Sequence, residues 1–216
     1  MSLARKFSSP ASVGKSAAIV ALCSSLVSPA VSLACSLKNP ELAIEAVFIE
    51  GAPIDRLLVT NQSEDGWSIE QVTWDLAPSA GQVIFDTTAT GAGVEVFQPF
   101  RQLNANDTRR AGGQLTNDDE LAVLASEPTV TDGDQSVAID FKTFGAQQVF
   151  GMSIDVDDQI ASRQTIVDRS EMQGATIQAV FVHESKSART LVASFDDNAK
   201  ASSCEASMVG SASKSE

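Results

Sequence analysis

Three short acidic segments hold the residues best suited to chemistry, and the chemistry they suit is the binding of a hard cation. Each segment lies beside a strand-like run, where loops from neighbouring strands can meet. Calcium takes six to eight oxygen ligands, several of them carboxylates. We therefore expect a calcium site, or two, built from a subset of these acids. The candidate ligands are Glu50, Asp55, Asp132, Asp134, Asp155, Asp157 and Asp158.

The same acids have a purely local interpretation, which the sequence leaves open. Asp and Gly are frequent in turns because their backbones and side chains suit turn geometry. In this interpretation Asp132-Gly133-Asp134 is a hairpin turn, Asp157 and Asp158 begin a solvated loop, and Glu50 and Gly51 form a turn or bulge.

Alternating apolar residues predict the elements that must position these acids. The run Val149 to Val156 places Phe150, Met152, Ile154 and Val156 on one face, as expected for a strand with one buried side. Similar short runs recur along the chain between Gly, Pro, Asn and Asp, without a strong amphipathic helix. The pattern predicts an all-β fold, a single-domain antiparallel β-sandwich of about ten short strands. Trp67 and Trp74 are expected in its core.

The first 34 residues are typical of a secretory signal peptide. Arg5, Lys6 and Lys15 precede an interrupted apolar run, 17–34, that ends in small residues before Cys35. We expect cleavage there and a protein that is secreted, periplasmic or on the cell surface. Alternatively, residues 32–35 are a lipobox and a lipidated Cys35 anchors the protein to a membrane.

The cysteines fit export. Removal of Cys23 with the signal peptide leaves Cys35 and Cys204, which predicts a disulfide that closes nearly the whole domain. We assign residues 35–198 to the sandwich. Residues 199–216 are rich in Ala, Ser and charged side chains and are expected to be a polar, largely disordered tail.

Charge argues against a nucleic acid partner. The chain has 15 Lys and Arg against 28 Asp and Glu, and binding of a polyanion requires a basic surface. Arg101, Arg109 and Arg110 are the one local basic group. They fall in the polar stretch 101–120, for which we expect disorder.

Few residues point to catalysis. His183 is the single histidine, and it ends a strand-like run. Paired carboxylates can hydrolyse glycosides, but nothing in the sequence separates such a pair from the other acids. We expect no enzyme activity. A carbohydrate-active hydrolase is kept as an alternative.

Four segments in order carry a family resemblance: FIEGAPIDRLLVTN (48–61), VIFDTTATGAGVEVFQPF (83–100), VTDGD (130–134) and FGMSIDVDD (150–158). They resemble bacterial exported proteins labelled aggregation factor core proteins, a label taken from the sponge aggregation factor. The resemblance implies a secreted β-rich module in calcium-dependent adhesion. Its expected partners are an extracellular protein, a glycan or a second copy of itself. A structural envelope protein without metal is the other non-enzymatic alternative.

Overall fold

The computed structural model describes residue 35 and residues 37–51, 54–93, 98–159 and 167–206. Three expected segments lie outside these residues: the signal peptide, one of the short strand-like runs at 94–97, and the end of the tail at 207–216. In the described part of the chain, no helix has both the length and the apolar character needed to span a membrane.

Two antiparallel sheets form the sandwich, which confirms the predicted fold class. The strands of the first sheet are β1 (Leu42–Ile49), β2 (Asp55–Asn61), β4 (Ile84–Asp86), β5 (Arg101–Gln102), β8 (Val149–Asp157) and β11 (Lys200–Glu205). Those of the second are β3 (Trp67–Asp75), β6 (Val123–Leu124), β7 (Ser136–Thr143), β9 (Thr176–His183) and β10 (Lys186–Ser194). The first sheet has the order β11-β1-β2-β8-β4, with β5 also pairing with β8, and the second has the order β10-β9-β3-β7-β6.

The core lies between the sheets and is built from the apolar faces of the alternating strands. Trp67 and Trp74 are 1% and 0% exposed, so the prediction that both belong to the core is confirmed. The ring of Trp74 packs edge-on against Phe85, with centroids 5.3 Å apart. Aromatic contacts of this kind fix the two sheets relative to each other.

β8 departs from the predicted one-sided pattern, because all nine of its residues are buried. Its second face is covered where Leu103 and Thr108 approach Gly151. Thr108 belongs to α1 (Ala105–Arg110), a short helix capped by Asn104, whose side chain accepts the N–H of Asp107. A 3-10 helix follows at Asp118–Glu120.

The stretch 101–120 is thus ordered, contrary to our expectation. Its arginines form ion pairs: Arg101 and Arg110 with Asp107, and Arg109 with Asp118 at 2.7 Å. Such local charge pairs and the Asn104 cap stabilise a helix too short to form alone.

The segment from residue 199 is not entirely a tail, because β11 runs through Lys200–Glu205 and pairs with β1. Ala199 and Ala201 are buried against the sandwich. Their small side chains gave no clear indication of burial in the sequence. Cys204 in β11 forms the expected disulfide with Cys35, with the two Cα atoms 5.4 Å apart. In the chain-entropy account, closing a loop of this length stabilises the fold by roughly 4 to 5 kcal/mol.

Candidate metal centre

Strand pairing brings aspartates from three strands to the C-terminal end of β8. Asp86, the last residue of β4, lies directly opposite Asp155. Asp55, the first residue of β2, lies opposite Ile154. Because residues directly opposite in an antiparallel pair are close neighbours, carboxylates far apart in sequence meet here.

We define the acidic cluster as five of these side chains, which interact with one another. Its members are Asp55, Asp86, Asp132, Asp155 and Asp157. All but the half-buried Asp132 are at most 7% exposed. The local interpretation made Asp157 the start of a solvated loop, whereas the structure buries its side chain.

Asp86 is the most constrained member. It has no exposed surface, and no hydrogen-bond donor among the described residues reaches its Oδ2. The carboxylates of Asp132 and Asp157 lie within hydrogen-bonding reach instead. Burial, followed by these two neighbours, raises the pKa of Asp86 well above its ordinary value.

Asp55 and Asp155 are perturbed in the same direction. Burial raises the pKa of Asp55 to about 7, although its carboxylate accepts N–H groups from Gly51 and Val156. Burial and then the charge of Asp157 raise the pKa of Asp155 to about 7. No ion pair with a Lys or Arg among the described residues offsets the charge of Asp55, Asp86 or Asp155.

Asp132 has a different role, because backbone donors hold its carboxylate. The N–H groups of Thr87, Thr88 and Ala92 donate to it at 2.8, 3.1 and 2.9 Å. These bonds, that of Thr87 first, lower the pKa of Asp132. Asp132 therefore folds the 87–92 loop back onto the end of β4.

Two glycines let that loop lie close to the carboxylates. A Cβ on Gly91 would lie under 3.0 Å from Asp132 Oδ2, and one on Gly93 would lie under 3.0 Å from both Asp157 Oδ2 and Asp86 Oδ2. Real Cβ contacts are almost never that short. At these two positions any other residue would force the loop and the carboxylates apart.

The remaining predicted ligands lie outside the acidic cluster. Asp134 is exposed, and its carboxylate accepts the N–H of Thr131 within its own turn at 3.1 Å. Glu50 is exposed and lies, with the buried Asp158, near the carboxyl of Glu171. Burial and then Asp158 raise the pKa of that glutamate.

Asp86 was missed as a candidate, although the sequence carried a signal for it. It ends one of the short strand-like runs, 83–86, and an acid at the end of such a run is the same arrangement that marks Asp155 as a candidate. The donor set fits calcium, which takes carboxylate, carbonyl and water oxygens together. Within the described residues, however, no three His, Cys, Asp or Glu side chains are so arranged that they could hold a metal ion.

His183 packs its ring against that of Trp67, with centroids 5.0 Å apart. Its Nδ1 accepts the N–H of Ser185 at 3.1 Å, a bond within the turn between β9 and β10. These two contacts of the histidine are structural, and they lie in the second sheet, whereas the acidic cluster lies at the end of β8 in the first.

We compared the chain with protein-family models, curated proteins and solved structures, and none of them matches it.

Proposed function

We propose that this protein is an exported, non-enzymatic β-sandwich module that binds calcium at the acidic cluster and acts in cell adhesion, aggregation or matrix assembly. The observation that carries the proposal is the buried Oδ2 of Asp86, which faces carboxylates and receives no donor from the described residues. A buried charge of this kind needs a proton or a cation.

Calcium suits the cluster better than smaller or softer ions do. The side chains offer only oxygen, whereas zinc prefers His and Cys ligands. Magnesium demands a tight octahedron and gives up its water reluctantly, whereas calcium accepts irregular sets. The cluster supplies carboxylate oxygens from three strands and from Asp132.

Burial also favours binding over catalysis. A glycosidase requires two carboxyl groups that flank a substrate bond, but Asp86 has no exposed surface on which a sugar could rest. A cavity of about 720 Å³ lies elsewhere, lined by residues such as Ser68, Glu70 and Lys142, and no cluster residue lines it.

Export and an extracellular partner rest on the sequence. The apparent signal peptide and the family resemblance both indicate them, and the disulfide between Cys35 and Cys204 supports an oxidising compartment. That bond also uses the Sγ that lipidation of Cys35 would require. We therefore favour a soluble exported chain and an extracellular protein, glycan or second copy as partner.

Thermal melting of the purified protein tests calcium binding. We expect a higher Tm in millimolar calcium than in EDTA, with magnesium at the same concentration as the control cation. A hundredfold excess of calcium over its Kd would add about 2.7 kcal/mol to the free energy of unfolding, or roughly 5 to 10 °C in Tm for a domain of this size. An unchanged Tm would reject calcium binding to the folded state.

Adhesion needs its own test. Beads coated with the protein should aggregate in calcium and disperse in EDTA if the partner is a second copy. Capture of cells or of cell-surface glycan by the same beads identifies the other partners. A failure of calcium to change any of these contacts would reject adhesion while leaving calcium binding intact.

A further inference from the structure

Two carboxylate oxygens face each other beside the backbone of Gly93. Asp86 Oδ2 has no donor among the described residues and belongs to a side chain with no exposed surface. Asp157 Oδ2 lies next to it, on the same side of Gly93. Both atoms are acceptors when ionised. They repel unless something positive lies between or beside them.

Space, not backbone conformation, explains the glycine at position 93. Gly66, Gly112, Gly133 and Gly174 have a positive φ, but Gly93 does not. A Cβ at position 93 would instead collide with the two carboxylate oxygens. The absence of a side chain at position 93 thus lets these two buried oxygens lie together against the loop backbone.

Asp132 holds this loop through both of its carboxylate oxygens. Oδ1 accepts the N–H groups of Thr87 and Thr88, and Oδ2 accepts that of Ala92. Asp86 Oδ2, in contrast, receives no donor from the described residues. Asp132 therefore serves to fix the loop over the pair.

We propose that Asp86 and Asp157 are the two carboxylate ligands of the cation and that Gly93 lets both carboxylates lie against the loop backbone. Asp132 is a positioning residue that closes the loop. Backbone carbonyls and water complete the coordination, as is usual for calcium. Two carboxylates do not require a group of three. This inference rests on the proposed calcium binding and names the ligands within it.

The test compares three variants by their melting in EDTA and in calcium. Asp86→Asn removes a ligand charge, and the methyl group of Gly93→Ala would displace both carboxylates. Gly145→Ala is the matched control, because a Cβ there would make only ordinary contacts of 3.8 and 3.9 Å. We expect calcium to raise the Tm of the wild type and of G145A. D86N and G93A should require at least about tenfold more calcium for the same rise.

D86N also separates ligation from a structural role. In EDTA at pH 8 we expect D86N to melt at or above the wild type, since a buried charge has been removed. A structural acceptor would instead lower the Tm in EDTA when changed. If D86N does not fold, Asp157→Asn with G93A provides the same comparison.

The outcomes distinguish this inference from the proposed function. A calcium-dependent rise in the wild type that D86N and G93A retain at the same concentration overturns the assignment of the ligands and leaves calcium binding standing. The absence of any rise in the wild type overturns calcium binding itself.

Discussion

The two ends of β1 carry buried carboxylates in opposite electrostatic states. Glu41 precedes the strand and is 4% exposed, and it forms ion pairs with Lys186 at 2.6 Å and Arg189 at 3.0 Å. The hydrogen bond from Lys186 is the main cause of its lowered pKa. At the other end, beside Asp55, the acidic cluster has raised pKa values and no such ion pair among the described residues.

The difference shows what each end needs from outside. Both cations at Glu41 also stack on Trp67, at 5.3 and 5.8 Å from its ring centre, so the chain neutralises this acid by itself. In the acidic cluster, the carboxylates of Asp55, Asp86 and Asp155 form no ion pair with a Lys or Arg among the described residues. A fold that neutralises one buried acid and leaves several others together is well explained by a ligand for the second group.

The largest expected effect is the pH dependence that the raised pKa values of the acidic cluster produce. Because the pKa of Asp55 is raised from 3.8 to about 7, its contribution to stability is full below pH 3.8 and is lost as pH rises through 7. Between pH 5 and pH 8 this residue alone should lower the free energy of unfolding by roughly 3 kcal/mol. The measurement is urea denaturation in EDTA at both pH values.

Calcium should remove most of that loss at pH 8, since it replaces the protons. The raised pKa values of Asp86 and Asp155 add to the effect, whereas the lowered pKa of Asp132 acts in the opposite direction. Equal stability at pH 5 and pH 8 in EDTA would contradict the raised pKa values.

The next largest effect is expected when the charge of Glu41, the neutralised carboxylate, is removed. Glu41→Gln should destabilise the protein by about 1 to 3 kcal/mol at pH 7, below the value for a fully buried pair because Lys186 is 47% exposed. This destabilisation should become smaller as pH falls below 4.5, because Glu41 then becomes protonated in the unfolded wild type while its lowered pKa favours the ionised form in the folded protein. Glu64→Gln, at an exposed site, is the control. Equal unfolding curves for the two variants would remove the ion pairs from the account.

The smallest effect is expected at Asp134, which the sequence analysis gave as a metal ligand but which lies outside the acidic cluster. Asp134→Asn should change stability by less than about 0.5 kcal/mol and leave the calcium-dependent rise in Tm unaltered. Its carboxylate is engaged in a turn, and an asparagine oxygen can accept the same N–H. A loss of the calcium response in D134N would restore it as a ligand.

Local pattern predicted much of the fold. Alternation indicated the sandwich, and the two cysteines that follow the expected signal peptide indicated the disulfide. The covered second face of β8 was not predictable, because it depends on Leu103 and Thr108 packing on Gly151 from 40 or more residues away. β11 was missed because its one buried residue is an alanine, and a single alanine does not produce a recognisable alternation of large apolar side chains.

The candidate site was predictable by residue type but not by membership. The acids after strands were visible, and Asp55, Asp132, Asp155 and Asp157 do meet. Membership depends on register: the pairing of Asp86 with Asp155 adds one acid, and the turn that uses Asp134 removes another. No spacing rule along the chain contains that information.

Calcium titration by isothermal calorimetry tests the central claim most directly. We predict saturable binding to the wild-type protein at pH 8, much weaker binding to D86N and unchanged binding to D134N. No saturable heat with the wild type, or equal affinity in D86N, would contradict the claim that the uncompensated carboxylates at the end of β8 form a calcium site.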